Sequence, residues 1–318
     1  MHAPPFFIIG SPRSGTTLLR FMLSSHPRLY VPDETGFLPF LNTPPEAILD
    51  RTAVVCVLAR IGQLNRFWKD SVPDVDAFVE ALPERKLADV LDALYRQRIQ
   101  PHDAVRWGDK TPLYVRYVPY LHRLFPEALF LHVIRDGRDA TCSALQKWGA
   151  EKPYLDAYYL LKNWVRNVQA GQAAPGVVGA KRYLEVRYED LVTRPEPVLR
   201  GVCGFLREPF DRQMLDPTPL ARRVGGGIDE HVEAQDPLHI GGIGRWRQEL
   251  SGFEQKLADR MAGPLLADLG YERPSQAAFT FSEQAHLGYQ AARFAALDGL
   301  RSLGYWTGVL TLNRNRKS

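Results

Sequence analysis

Phe6-Phe7-Ile8-Ile9-Gly10-Ser11-Pro12-Arg13-Ser14-Gly15-Thr16-Thr17-Leu18-Leu19-Arg20-Phe21-Met22-Leu23 is the stretch on which the fold turns. Its short apolar start reads as a strand buried on both faces and the Gly/Ser/Pro cluster as a turn. Leu18, Leu19, Met22 and Leu23 then recur at helical spacing. A strand, a glycine loop and a helix in that order make a concave anion site, because successive backbone N–H groups line the loop with the helix N-terminus behind them. Gly10 and Gly15 let the backbone approach an anion, and Ser14, Thr16 and Thr17 add hydroxyls. An ordinary turn between strand and helix would also use small residues, but it gives Arg13 no purpose, so a nucleoside phosphate is the expected occupant. A Walker A loop would carry lysine after its second glycine; Thr16 stands there, and the basic group has moved upstream to Arg13. The GxSxG order of a nucleophile elbow is missing, which argues against an α/β-hydrolase.

Two more units follow the same plan. Leu129–Ile134 reads as a strand, followed by Arg135-Asp136-Gly137-Arg138-Asp139 and a helix from Ala140 to Trp148. Tyr183–Val186 reads as a strand, followed by Tyr188-Glu189-Asp190-Leu191 and a helix from Glu196 to Leu206. Such alternation predicts an α/β, P-loop-like, three-layer fold with a central, mainly parallel sheet flanked by helices. Apolar spacing of three and four residues predicts further helices over 75–99, 113–124 and 154–168, covering the sheet or walling the acceptor cleft. Gly225-Gly226-Gly227 and Gly241-Gly242-Ile243-Gly244 bracket an aperiodic stretch, expected to be a mobile loop that closes over the ligand. From Ser275 a helical pattern (Leu287, Ala291, Phe294, Leu297, Leu300) leads to Tyr305, Trp306, Val309, Leu310 and Leu312, then to Arg314, Arg316 and Lys317. The expected organisation is a catalytic domain over residues 1–274 and a helical extension over 275–318. The extension is expected to dock on the domain or to make a homodimer contact, in preference to peripheral membrane contact.

Composition bounds the function. The chain has 318 residues, 45% hydrophobic and 24% charged, which excludes disordered, collagen-like and coiled-coil classes. Forty Lys+Arg against 36 Asp+Glu leave a net charge of +4, too little for a coat that binds nucleic acid. Cys56, Cys142 and Cys203 lie far apart with no CxxC pair, so neither a disulfide scaffold nor a thiolate metal site is indicated. Two prolines precede Phe6 where a secretory signal would have a basic start and a longer apolar stretch, and no run of about 18 apolar residues offers a membrane span. A reducing, cytoplasmic setting is expected.

Four segments, in order, resemble the sulfotransferases that use 3′-phosphoadenosine 5′-phosphosulfate (PAPS), above all the branch that includes tyrosylprotein sulfotransferases and many bacterial enzymes. Pro12-Arg13-Ser14-Gly15-Thr16-Thr17-Leu18 is similar to their 5′-phosphosulfate loop, which implies that Arg13, Ser14, Gly15, Thr16 and Thr17 bind the sulfuryl donor. Arg135-Asp136-Gly137-Arg138-Asp139 with Ser143 resembles their 3′-phosphate segment, so Arg135 and Ser143 are expected on that phosphate. Val186-Arg187-Tyr188-Glu189-Asp190-Leu191 resembles the stretch whose tyrosine lies near the nucleotide, here Tyr188. Gly241-Gly242-Ile243-Gly244-Arg245-Trp246 resembles the late Gly-x-x-Gly-x-Trp segment that closes on the 3′-phosphate. Together these span residues 6 to about 272. Cytosolic small-molecule sulfotransferases place Arg-Lys ahead of the late segment, and this chain departs from them with His239-Ile240 there; Arg245 or Lys147 is expected to supply the missing charge. Their catalytic histidine has no counterpart, and His132, inside an apolar strand pattern, reads as a core or strand-end residue.

The acceptor side follows in Tyr30-Val31-Pro32-Asp33-Glu34-Thr35-Gly36-Phe37-Leu38. Transfer to a hydroxyl needs a base within reach of its proton, and the resemblance gives that part to Glu34, where a bare reading of the residues gives a solvated acidic turn. Charge builds on the bridging oxygen of the departing group, so fixed cations there lower the barrier. Arg13 is one, and Lys110, in Trp107-Gly108-Asp109-Lys110-Thr111-Pro112, aligns with a family lysine at this oxygen; a solvated loop lysine is the other reading. The expected reaction is in-line transfer to a small-molecule, lipid or carbohydrate hydroxyl, with 3′,5′-adenosine bisphosphate (PAP) leaving and no metal implied. Asp74-Val75-Asp76 reads as the start of a helix, not as a metal-binding DxD. Two rivals stay open: a P-loop kinase in which Asp136 ends a magnesium-binding strand, and a non-catalytic nucleotide-binding protein with no need of Glu34 or Lys110.

Overall fold

The structure is a computed structural model that describes residues 3–69, 71–72, 74–82, 84–220, 240–273 and 277–307. Five parallel strands, β1 (Phe6–Gly10), β2 (Leu29–Tyr30), β3 (Arg106–Lys110), β4 (Leu129–Ile134) and β5 (Tyr183–Arg187), form one sheet in the order β2-β3-β1-β4-β5. The helices, in chain order, are α1 (Thr16–Ser24), α2 (Arg51–Leu64), α3 (Val75–Glu80), α4 (Leu87–Ile99), α5 (Val118–Leu124), α6 (Gly137–Trp148) and α7 (Ala157–Ala173). They continue with α8 (Pro175–Val178), α9 (Tyr188–Thr193), α10 (Pro195–Leu206), α11 (Trp246–Glu249), α12 (Gly252–Asp268) and α13 (Phe281–Thr307).

Strand β1 is buried throughout because its alternating side chains feed two cores. Phe7 and Ile9 join Val54 and Ile61 of α2 and Leu91 and Leu94 of α4 on one face; Phe6 and Ile8 join Leu19 and Met22 of α1 and Val202 of α10 on the other. Phe7 stacks on Phe130 with centroids 5.5 Å apart and meets Trp107 edge-on at 6.0 Å. The strand order sends the chain from β1 toward β2 and from β4 toward β5. Neighbouring strands are thus left in opposite directions, and this opens a crevice over their C-terminal ends. Gly10 pairs with Val133, so the loop after β1 and Arg135 after β4 emerge side by side.

The elements differ from the sequence pattern in instructive places. The helix expected over 75–99 is two, α3 and α4, and a proline stands in the sequence between them, unable to continue helical hydrogen bonding. The helix expected over 113–124 begins as a 3₁₀ turn, Pro112–Tyr117, and only then becomes α5. The one expected over 154–168 starts at Ala157, where the Asp156 carboxylate accepts from the Tyr159 amide at 2.8 Å, and runs on to Ala173.

Helix α13 rests on α7. Phe294 is buried against Tyr158 and Tyr159, Asp298 pairs with Arg166 at 2.8 Å, and Gln290 donates to Asp156 at 3.0 Å. Gly225, Gly226, Gly227 and His239 of the expected closing loop, and the tail positions Val309, Leu310, Leu312, Arg314, Arg316 and Lys317, lie outside the described residues. Among the described residues no helix is long and apolar enough to cross a membrane.

Candidate active site

Arg13 to Thr17 follow β1, Glu34 comes shortly after β2, Lys110 ends β3, Arg135 follows β4 and Tyr188 follows β5, whereas Ser143 lies within α6 and Arg245 directly before α11. The loop after β1 is shaped by close approaches. A Cβ on Gly10 would stand 2.5 Å from the Val133 carbonyl oxygen, and one on Gly15, which has φ 90° and begins α1, would stand 2.3 Å from the Tyr188 ring. Arg13 itself holds φ 68°, a left-handed conformation that costs a non-glycine residue energy and that the surroundings must enforce. Arg135 does this in part: its Nη1 donates to the Arg13 carbonyl at 3.0 Å, and its Nη2 donates to the Gly242 carbonyl at 2.7 Å. The same guanidinium lies 4.3 Å over the Tyr188 ring, while Arg13 Nε donates to Ser143 Oγ at 2.9 Å. Four segments far apart in sequence thus converge. Two polar atoms in the cluster, Ser14 Oγ and Arg135 Nε, are buried and have no hydrogen-bond partner among the described residues. Buried donors without partners are rare, and an anion seated in the loop would satisfy them.

On the other side of β1 stands the second cluster. Lys110 ends β3, its side chain only 3% exposed; it ion-pairs with the Glu34 carboxylate, which is 52% exposed, and its Nζ donates to Thr17 Oγ1 at 3.2 Å. One ammonium therefore touches both the anion loop and the acidic turn. The turn is pinned: Asn65 Nδ2 donates to the Glu34 carbonyl at 2.7 Å and the Thr35 carbonyl at 2.8 Å, and Arg20 Nε donates to the Val31 carbonyl at 2.9 Å. Thr35 Oγ1 donates to Asp109 at 2.7 Å and sits 2.6 Å from the Tyr114 hydroxyl, and Tyr95 donates to the same Asp109 oxygen at 2.6 Å. Burial pushes the Asp109 carboxyl up to about 6 against these hydrogen bonds. Thr35 follows Glu34 and Asp109 precedes Lys110, so a buried hydrogen bond ties the two chain segments beside the Glu34–Lys110 pair.

The sequence model of the sulfotransferase family matches residues 4–212, about two thirds of the chain and all five strands. The chain belongs to that family. Human protein-tyrosine sulfotransferase 1 is 29% identical over 280 residues, which cover 85% of this chain and 70% of the human protein. The protein-tyrosine sulfotransferase of Drosophila melanogaster is 27% identical over 280 residues, and this chain spans 52% of its length. Among solved structures, the sulfotransferase domain of the Synechococcus PCC 7002 olefin synthase superposes with a TM-score of 0.60 at 29% identity, covering 86% of this chain and 98% of that domain.

The remaining expected residues lie as follows. Arg245, expected near the 3′-phosphate, forms an ion pair with Glu249 at 2.8 Å and donates to Gln146 of α6 at 2.6 Å; Lys147 lies in the last turn of the same helix. What fastens the late glycine segment is Asp139, which the sequence reading gave no part. Its carboxylate accepts from the Gly244 amide at 2.7 Å and the Trp246 amide at 3.0 Å, and burial raises its pKa. Asp136 caps α6 and both its oxygens meet the buried Arg138 guanidinium, which leaves a magnesium-binding role poorly supported. His132 is fully buried in β4, 2.6 Å from the Tyr183 hydroxyl, and burial holds it neutral down to about 3. Asp74 caps α3 through the Ala77 amide at 2.9 Å. Asn65, Thr35 and Asp109 were missed because polar residues inside a loop or a charged strand carry no periodic signal; their neighbours Glu34 and Lys110 were the only pointer.

Proposed function

We propose that this sulfotransferase moves a sulfuryl group from PAPS to a hydroxyl acceptor, with Glu34 as the base. The observation that carries the reading is the convergence of Arg13, Ser14, Arg135 and Ser143, in which Ser14 Oγ and Arg135 Nε are buried with no partner among the described residues, one ammonium away from a half-exposed carboxylate. In this reading Arg135 and Ser143 hold the 3′-phosphate, while the loop amides, Thr16, Thr17 and Lys110 face the phosphosulfate. Tyr188, stacked under Arg135, packs beside the nucleotide. Glu34 takes the acceptor proton as the acceptor oxygen forms its bond to sulfur. The bond from sulfur to the bridging oxygen breaks, its electron pair stays on PAP, and Arg13 and Lys110 stabilise that charge, an effect worth several kcal/mol when the cations are fixed in advance.

The acceptor is a small-molecule, lipid or carbohydrate hydroxyl, with phenols to be tried first because the relatives named above are protein-tyrosine sulfotransferases. Incubation with sulfur-labelled PAPS and a panel of phenols and alcohols tests the reading. Label on an acceptor with an equal amount of PAP is expected; PAP binding without label on any acceptor would favour a nucleotide-binding protein, and transfer from ATP alone would favour the kinase.

A further inference from the structure

Beyond β2, at the edge of the sheet, a cavity of about 250 Å³ lies between the chain leaving that strand, the last turn of α4 and the turn that follows it. Its lining includes Tyr30, Asp33, Ser71, Gln97, Arg98 and His102. Two of the polar atoms these residues bring, Arg98 Nε and Ser71 Oγ, are fully buried and hydrogen-bond to nothing among the described residues. The Arg98 guanidinium lies 5.3 Å over the Trp68 ring, an arrangement that occupies its face and leaves its edge of N–H groups to bond in plane. Among the described residues that line the cavity Asp33 is the one carboxylate, and Arg20 holds it at 3.0 Å. Tyr30 and His102 stack with centroids 3.6 Å apart and close one wall.

A guanidinium edge, a buried hydroxyl and an acidic neighbour already matched by another arginine form a cavity that favours a planar anion. We propose that this cavity binds a small carboxylate or other oxyanion, separately from the Arg13 and Arg135 cluster. The site bears on the acidic turn, because Trp68, under Arg98, donates through its indole N–H to the Asp33 carbonyl at 3.4 Å, one residue before Glu34. The anion is either free or a carboxylate carried by the acceptor. Both would be held by the same N–H and O–H groups.

The test holds the protein with saturating PAP, so that the Arg13 and Arg135 cluster is filled, and titrates sodium acetate and sodium phosphate at constant ionic strength. Thermal midpoint and tryptophan fluorescence are read together. A saturable rise in midpoint is expected, at least tenfold weaker in Arg98→Met, severalfold weaker in Ser71→Ala and unchanged in Ser143→Ala. No saturable effect, or equal saturation in Arg98→Met and Ser71→Ala, would overturn the proposal, and the Ser71 variant keeps the test alive if Arg98→Met does not fold. A second arm, which rests on the activity proposed above, compares KM for two phenols that differ by one carboxylate. A rise in Arg98→Met confined to the acidic phenol assigns the anion to the acceptor; unchanged KM with lost acetate binding assigns it to a free anion. Failure of PAP to bind would count against the donor reading and leave the Arg98-dependent titration to decide this one.

Discussion

Glu34 combines a fixed backbone with a half-exposed side chain, the arrangement a base needs if it is to meet a hydroxyl arriving from solvent. Glu34→Gln is expected to keep affinity for PAP, because Arg13, Arg135 and Ser143 stay in place, while lowering turnover by about 10² or more. An alkyl alcohol is the proper acceptor for that measurement. A phenol ionises near pH 10 and needs less help, so it would hide part of the loss. An unchanged single-turnover rate with the alcohol would exclude Glu34. Ser143 offers a second measurement on one residue. Its hydroxyl accepts from Arg13 Nε, and the proposed 3′-phosphate would accept from it in turn. Ser143→Ala is expected to weaken a nucleotide bearing a 3′-phosphate about threefold to tenfold, the value of one hydrogen bond, and to spare one without it. Calorimetric titration of PAP against adenosine 5′-monophosphate separates the two, and equal weakening would remove Ser143 from the 3′-phosphate.

Strand β1, its loop and α1 were legible in sequence because an apolar run, a loop between two glycines and a helical pattern in that order have few other uses, and β4 and β5 repeat the order of strand, turn and helix. Strand β3, Arg106-Trp107-Gly108-Asp109-Lys110, was not, since its residues look like a solvated loop. The strand is buried because partners answer its polar groups: Arg106 donates to the Pro4 and Leu206 carbonyls at 2.7 and 2.5 Å, and Trp107 donates to Asp92 at 2.7 Å. Gly108 lies against Phe6, whose ring a Cβ would meet at 2.4 Å. No local pattern announces bonds made across 74 residues, such as Thr35 to Asp109. That bond joins the acidic turn, α4 through Tyr95, and β3, and it makes a claim about pH. Burial raises the Asp109 carboxyl from its ordinary 3.8 to about 6, so between these values the folded state binds more protons than the unfolded chain. Stability therefore falls as pH rises from about 4 to 6 and levels off above, by roughly 3 kcal/mol for a shift of about two units. His132, held neutral down to about 3, has the opposite slope, so only the difference between wild type and Asp109→Asn isolates the aspartate. Denaturant titrations at pH 4, 5, 6 and 7 are expected to show that difference shrinking as pH rises; a constant offset would mean that Asp109 keeps no proton.

At the scale of the molecule, α7 carries support to the site and α13 lies against α7. On the inner side, Trp164 donates to the Arg135 carbonyl at 3.0 Å and Asn167 to Ser11 Oγ at 3.3 Å, one residue past the end of β1. On the outer side, Phe294 is buried against Tyr159, and Gln290 and Arg293 both reach Asp156, the residue that caps α7. The ion pairs here are partly exposed and worth little each, about 0–1 kcal/mol, whereas burying a phenylalanine is worth about 1.5–3 kcal/mol. Removal of residues 275–318 is therefore expected to cost about 2–4 kcal/mol of unfolding free energy, with Phe294→Ala alone producing most of it. Phe281 and Tyr289 remain exposed on the described part of α13, so a second copy of the chain is the other expected contact, visible as a change in mass by light scattering. Loss of stability or of the oligomer, together with weaker PAP binding through α7, would tie the helix to the catalytic domain. A truncated protein equally stable and unchanged in size, which has merely lost binding to anionic vesicles that salt reverses in the full chain, would make the segment a membrane contact instead.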